Sequence, residues 1–136
     1  MLHRDYILEI TRRLGDVLAR WLRPAVIEGD LDAIEQVEAG VAMLVDLDPK
    51  TALSLSPDSL VTMMDLSGVA DSVAGYASYA LLRVGDAYEA AGDDALAQVR
   101  RSQAASIAQT FGCELGAVPQ EYEDLERQIA AEQGEE

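Results

Sequence analysis

Few side chains in this 136-residue chain have the type and spacing to do chemistry. Carboxylates come closest. Asp30 and Asp32, and again Asp46 and Asp48, stand two residues apart, a spacing that suits a hard cation or a shared acid–base role. A calcium loop needs oxygen ligands at several fixed positions around a central glycine, and neither stretch has that layout. With 25 acidic residues, close pairs also arise by chance. His3 is the lone imidazole, so a zinc or di-iron site lacks its ligands. Cys113 is the lone thiol and has no histidine near it in sequence to act as base. Ser54, Ser56, Ser59 and Ser67 fall in loop or cap contexts without a G-x-S-x-G elbow. The glycines are dispersed, so no phosphate-cradling loop is present. No catalytic residue, metal or cofactor is expected, and the chain is expected not to be an enzyme.

The elements that must position these side chains are helical. A first helix is expected from about Arg4 to Leu22, with Tyr6, Ile7, Ile10, Leu14, Val17, Leu18, Trp21 and Leu22 as its apolar stripe. Pro24 is expected to end it. Gly29-Asp30 reads as a turn, and a second helix as Leu31 to Leu47, burying Leu31, Ile34, Val37, Val41, Leu44 and Val45. Residues 48–57 read as a loop punctuated by Pro49 and Pro57, with Leu53 and Leu55 tucked onto the core. Ser56-Pro57 opens a third helix to Leu66. A fourth is expected over Ala70–Ala91, with Tyr76 and Tyr88 on its core stripe and Gly92 as its stop. A fifth runs from Asp93 to about Thr110, with Leu96, Val99, Ile107 and Ala108 inward. A last one spans about Gln120 to Ala131. No alternating β-branched run exists.

Bulk properties exclude several classes. The net charge of −15 argues against a nucleic-acid partner, which requires a basic face. Residues 1–23 carry +2 and residues 24–136 carry −17, so the two parts should attract within a chain or between copies. A single cysteine and the absence of a secretory apolar region fit a reduced, cytoplasmic protein.

Within Leu81–Ala104, Gly85, Tyr88, Gly92, Ala97 and Ala104 fall at the small and aromatic spacing of a helical hairpin. This stretch resembles a tetratricopeptide repeat, in which small residues let two antiparallel helices cross closely. The chain has Arg101 where that repeat often has a bulky aromatic, and Gln109 where a proline usually closes it. A weaker echo lies at Gly29–Ala33. The resemblance implies a protein or peptide partner in a concave groove lined by Tyr79, Leu82, Asp86 and Glu89. The opening Asp5-Tyr6-Ile7-Leu8 is also similar to an uncharacterised bacterial family of small helical proteins, which adds no activity.

The expected architecture is a single all-α domain over 1–136, with five to six antiparallel helices. Repeat-like hairpins, the better one at 70–111, carry an amphipathic helix 1–23 packed on them, and 132–136 form a frayed tail. The expected function is a non-enzymatic protein-interaction or scaffold module that forms a homodimer. Two alternatives stay open: a membrane-surface protein using the Arg-rich first helix, and an enzyme with a carboxylate site.

Overall fold

Two Gly-Asp turns, Gly29-Asp30 and Gly92-Asp93, reverse the chain and set its architecture. Both glycines have positive φ, 66° and 90°, a conformation that a residue without a Cβ adopts freely. Each aspartate then caps the next helix: Asp30 accepts from the amides of Asp32 and Ala33, and Asp93 accepts from that of Leu96. Helices joined this tightly lie antiparallel.

The structure, a computed structural model, describes residues 2–132. The side chains of residues 2–5 and of Ile7, and all of 133–136, lie outside it, so His3 and most of the expected tail do as well. The described residues form α1 (Leu2–Ile27), α2 (Leu31–Ala42), α3 (Pro49–Leu53), α4 (Pro57–Leu66), α5 (Asp71–Ala90), α6 (Asp94–Phe111) and α7 (Glu123–Glu132), with no strand among them. Single turns of 3-10 helix follow α2 at Met43–Val45 and precede α7 at Gln120–Tyr122. The chain is therefore all-α.

α1 pairs with α2 and α5 with α6. α5 also packs on α1 and α2, α4 lies on α6, and α7 lies on α1. Leu14, Leu18, Leu22, Ile34, Leu60, Met64, Leu81 and Ile107 are almost completely buried where these elements meet. Each contributes about 1.5–3 kcal/mol relative to exposure. Glycine sets two of the crossings. A Cβ on Gly40 would stand 2.9 Å from a Val17 methyl, and one on Gly85 would stand 3.1 Å from the Ala97 carbonyl oxygen.

Four sequence expectations are corrected. Pro24 sits inside α1 instead of ending it. The added turn carries Ala25 into the core at 0 % exposure, and the Pro24 carbonyl accepts from the amides of Glu28 and Asp30 as the helix closes. Leu31, expected inside, is 60 % exposed because it is the first residue of α2. The expected loop at 48–57 contains α3, whose Asp48 carboxylate accepts from the Thr51 amide at 3.1 Å. Asp48-Pro49 is thus a cap and first helical residue, like Ser56-Pro57. Val99, expected inside α6, is 41 % exposed, and Arg100 is buried in its stead. A charged residue can face the core here because it finds partners: Glu38, Gln103 and the Leu53 carbonyl.

Candidate functional site

The cleft between α1, α5 and α7 is the candidate site. On α1 the stripe Leu14, Leu18, Leu22 turns into the core, which places Thr11, Gly15 and Ala19 on the neighbouring row. These are small residues. A Cβ on Gly15 would meet nothing within 4 Å, and Ala19 is exposed.

α7 is held at a distance from that row by its grip on α5. The Tyr122 ring stacks on Tyr79 at 5.6 Å and meets Tyr76 edge-on at 6.2 Å. The Glu126 carboxylate accepts from the Tyr79 hydroxyl and from Nε of Arg83, the latter at 2.8 Å. Arg23 reaches across from α1, its Nε donating to Oε1 of Gln128 at 3.0 Å. What remains between the helices is a cleft of about 530 Å³, within the range of roughly 300–1,000 Å³ typical of binding pockets. Leu14, Leu18, Val73 and Leu125 floor it; Arg23 with Gln128, and Glu121 with Tyr76, supply its polar groups.

The two helices differ in sign over their exposed surfaces, but of their charged side chains only Arg23 lines the cleft, with Glu121 from the turn before α7. α1 exposes Arg12, Arg13, Arg20 and Arg23 against Asp16 and the part-buried Glu9, whereas α7 exposes Glu123, Asp124 and Glu132 against Arg127. Local pairs hold most of these side chains: Arg12 and Arg13 with Glu9, Arg23 with Glu28 at 3.7 Å, and Arg127 with Asp124. Hydrogen bonds from Arg12 and Arg13 hold the Glu9 carboxyl below its ordinary range. At the other end of the cleft, the Tyr76 hydroxyl donates to Glu121. That bond raises the Tyr76 pKa and lowers that of Glu121.

Tyr79, Leu82, Asp86 and Glu89 do not line one open groove. Tyr79 is 3 % exposed, roofed by Tyr122 and bound to Glu126. Burial and the adjacent Glu126 carboxylate push its pKa far above the ordinary value. Leu82 is half-buried against the core. Asp86 accepts from Arg83 at 2.9 Å and Arg101 at 2.7 Å, and Arg101 also binds the exposed Glu89. Asp86 and Glu89 are brought together; Tyr79 is taken out of reach by the C-terminal helix.

Other polar groups are already engaged. Oε2 of buried Glu38 accepts from both Tyr88 and Arg100, an arrangement that ties helices together and leaves that oxygen occupied. The Cys113 thiol is half-buried, with Sγ 3.6 Å from the Asp71 carbonyl. Burial first, then the Asp71 charge, push its pKa up, which disfavours the nucleophilic thiolate. Among the described residues no group of three His, Cys, Asp or Glu is arranged to hold a metal, and no helix is long and apolar enough to cross a membrane.

The α1–α7 cleft was not among the sequence expectations. Its one signal was Gly15. A glycine amid good helix formers sacrifices about 1 kcal/mol against alanine, and here no close packing within the monomer accounts for it. No family model, curated protein or solved structure matches the chain.

Proposed function

We propose that this chain is a non-enzymatic protein-interaction module whose docking surface is the cleft between α1 and α7. One observation carries the proposal: a cleft of about 530 Å³, floored by Leu14, Leu18, Val73 and Leu125, has Arg23 and Glu121 as the charged residues of its lining. An apolar floor supplies affinity, and charged rims select and orient a partner. The α5–α6 hairpin, with Gly85 against Ala97, is read as the repeat-like scaffold that carries this surface. A reduced cytoplasmic setting suits its single cysteine.

The membrane-surface alternative needs a free apolar face on α1. Leu14, Leu18, Leu22 and Ala25 are buried in the core, which counts against it. The test is affinity capture from the source cells with the wild-type chain beside Gly15→Trp. The new ring enters the cleft from a position with open space around it. Partners specific to the cleft should fall about tenfold or more with Gly15→Trp, the loss expected when about 1.4 kcal/mol of contact is blocked. Equal capture by both chains refutes the proposal.

A further inference from the structure

We infer that the strip Tyr76, Tyr79 and Arg83 on α5 is a receptor for an acidic, aromatic helix. α7, with the turn before it, is the resident occupant, and a segment of the same chemistry from another protein takes its place. The inference goes beyond the cleft, which exists only while α7 is seated, so the two surfaces are occupied in turn.

The strip is built to read a carboxylate beside a ring. Tyr76, Tyr79 and Arg83 follow one another at three- and four-residue steps and share one face of α5. Three donors converge on the Glu126 carboxylate: the Tyr79 hydroxyl and Nε of Arg83 on Oε2, and Nη2 of Arg83 on Oε1. This is the fork that a guanidinium offers a planar acid. The Tyr122 ring, four residues earlier, meets the rings of both Tyr76 and Tyr79. The fork is held in place without α7. Asp86 accepts from Nη1 of Arg83 at 2.9 Å and from Arg101 of α6 at 2.7 Å, which leaves the Nε–Nη2 edge for a ligand. Donors fixed in advance cost little to order when a ligand arrives.

α7 sits on this strip lightly. Of its own residues only Leu125 and Ile129 are buried, and the cleft lies between it and α1. Residues 112–119, which tether it to α6, contain no helix and no buried residue, and Gly112 and Gly116 stand at φ 72° and 88°. At about 3.3 Å per residue that tether reaches about 26 Å, enough for α7 to leave α5 while still attached. A second copy's α7 would make the same bonds and forgo the tether, whose effective concentration is in the millimolar range, so exchange between copies gains nothing. A foreign helix gains more. One that keeps the ring and the carboxylate four residues on, and buries more apolar surface than Leu125 and Ile129 do, displaces α7.

A labelled synthetic peptide of residues 119–132 tests this by fluorescence anisotropy, against the full chain and against Tyr122→Ala with Glu126→Ala, which frees the strip. The freed chain should bind the peptide about tenfold or more tightly than the wild type, whose own α7 competes at a millimolar effective concentration. Arg83→Ala in the freed chain, and Glu126→Gln in the peptide, should each weaken binding about tenfold, the loss expected of a charge-assisted bond. Glu126→Ala alone serves if the double variant loses its helical circular dichroism. Light scattering of the wild type should give the mass of one chain. Equal binding by both chains, no binding to the freed chain at about 1 mM peptide, or binding indifferent to Arg83→Ala overturns the inference. A two-chain wild type that Glu126→Ala makes monomeric puts a second copy's α7 on the strip and overturns the foreign partner.

Discussion

Nε of Arg100 donates to Oε2 of Glu38 at 2.8 Å, across 62 residues of sequence, with both side chains buried. The same carboxylate oxygen accepts from the Tyr88 hydroxyl at 2.9 Å. Arg100 also donates to the Leu53 carbonyl and lies 5.8 Å from the Tyr88 ring centroid. One side chain on α6 thereby fastens α2, α3 and α5 together.

Removing either charge leaves the other buried without its partner. Glu38→Ala and Arg100→Ala should each lower unfolding stability by about 3–5 kcal/mol. The apolar double replacement Glu38→Leu with Arg100→Met should lose far less than the two single effects combined. Urea denaturation of all four chains closes the cycle. Additive losses would mean that the pair does not act as a unit.

The glycines should separate by sign. Gly40→Ala drives a Cβ to 2.9 Å from Val17 Cγ1, and a β-branched neighbour has little room to yield. It should destabilise by about 1–3 kcal/mol. Gly85→Ala meets the Ala97 carbonyl oxygen and the Arg101 stem and should do the same. Gly15→Ala meets nothing and should stabilise by about 0.5–1 kcal/mol. Thermal melting ranks the three; a destabilised Gly15→Ala would contradict the open cleft.

These residues also mark what the sequence made legible. Apolar spacing located the α-helices apart from α3, and α4 falls at Pro57–Leu66 as expected, because Ser56-Pro57 is an unambiguous cap. The same grammar at Asp48-Pro49 was read as a break. Proline signals both a start and a stop, and only packing distinguishes them. Pro24 failed in the opposite direction, since burial of Ala25 outweighs a lost amide bond. Val99 and Tyr79 were misplaced for one reason: the side chains buried are Arg100 and Tyr79, each by a partner distant in sequence, Glu38 and Glu126, that no local periodicity reveals. The cleft shares that cause, being made by helices from opposite ends of the described chain.

Alkaline stability should follow the tyrosines. Burial first, then neighbouring carboxylates, push Tyr88 and Tyr122 up to about 12, and Tyr79 further still. An unfolded tyrosine ionises near pH 10. Above about pH 10 the unfolded chain releases protons that the native chain retains, so the native state loses ground as pH rises toward about 12. Stability should therefore be level below about pH 10 and fall above it, with tyrosinate absorbance lagging behind that of the denatured chain. Tyr88→Phe should soften the fall. Coincident titration of native and denatured chains would contradict the buried hydroxyls.

The hold on α7 should be separable from the rest. Arg83 and Glu126 are 20 % and 22 % exposed at their contact, so Glu126→Ala removes well-shielded charge-assisted bonds, each contributing about 1.5–3 kcal/mol. Amide exchange across 120–132 should quicken by about tenfold or more, with α5 and α6 unchanged. Uniform acceleration throughout the molecule would show that α7 is integral to the global unit.

Arg23 and Gln128, which touch across the cleft, are separated by 105 positions. A growing polypeptide that has reached only residue 120 has one wall and no opposite wall, however well its earlier helices have folded. On the docking reading proposed above, capture in the cleft waits until translation has passed residue 128, so a half-made product would not compete with finished molecules.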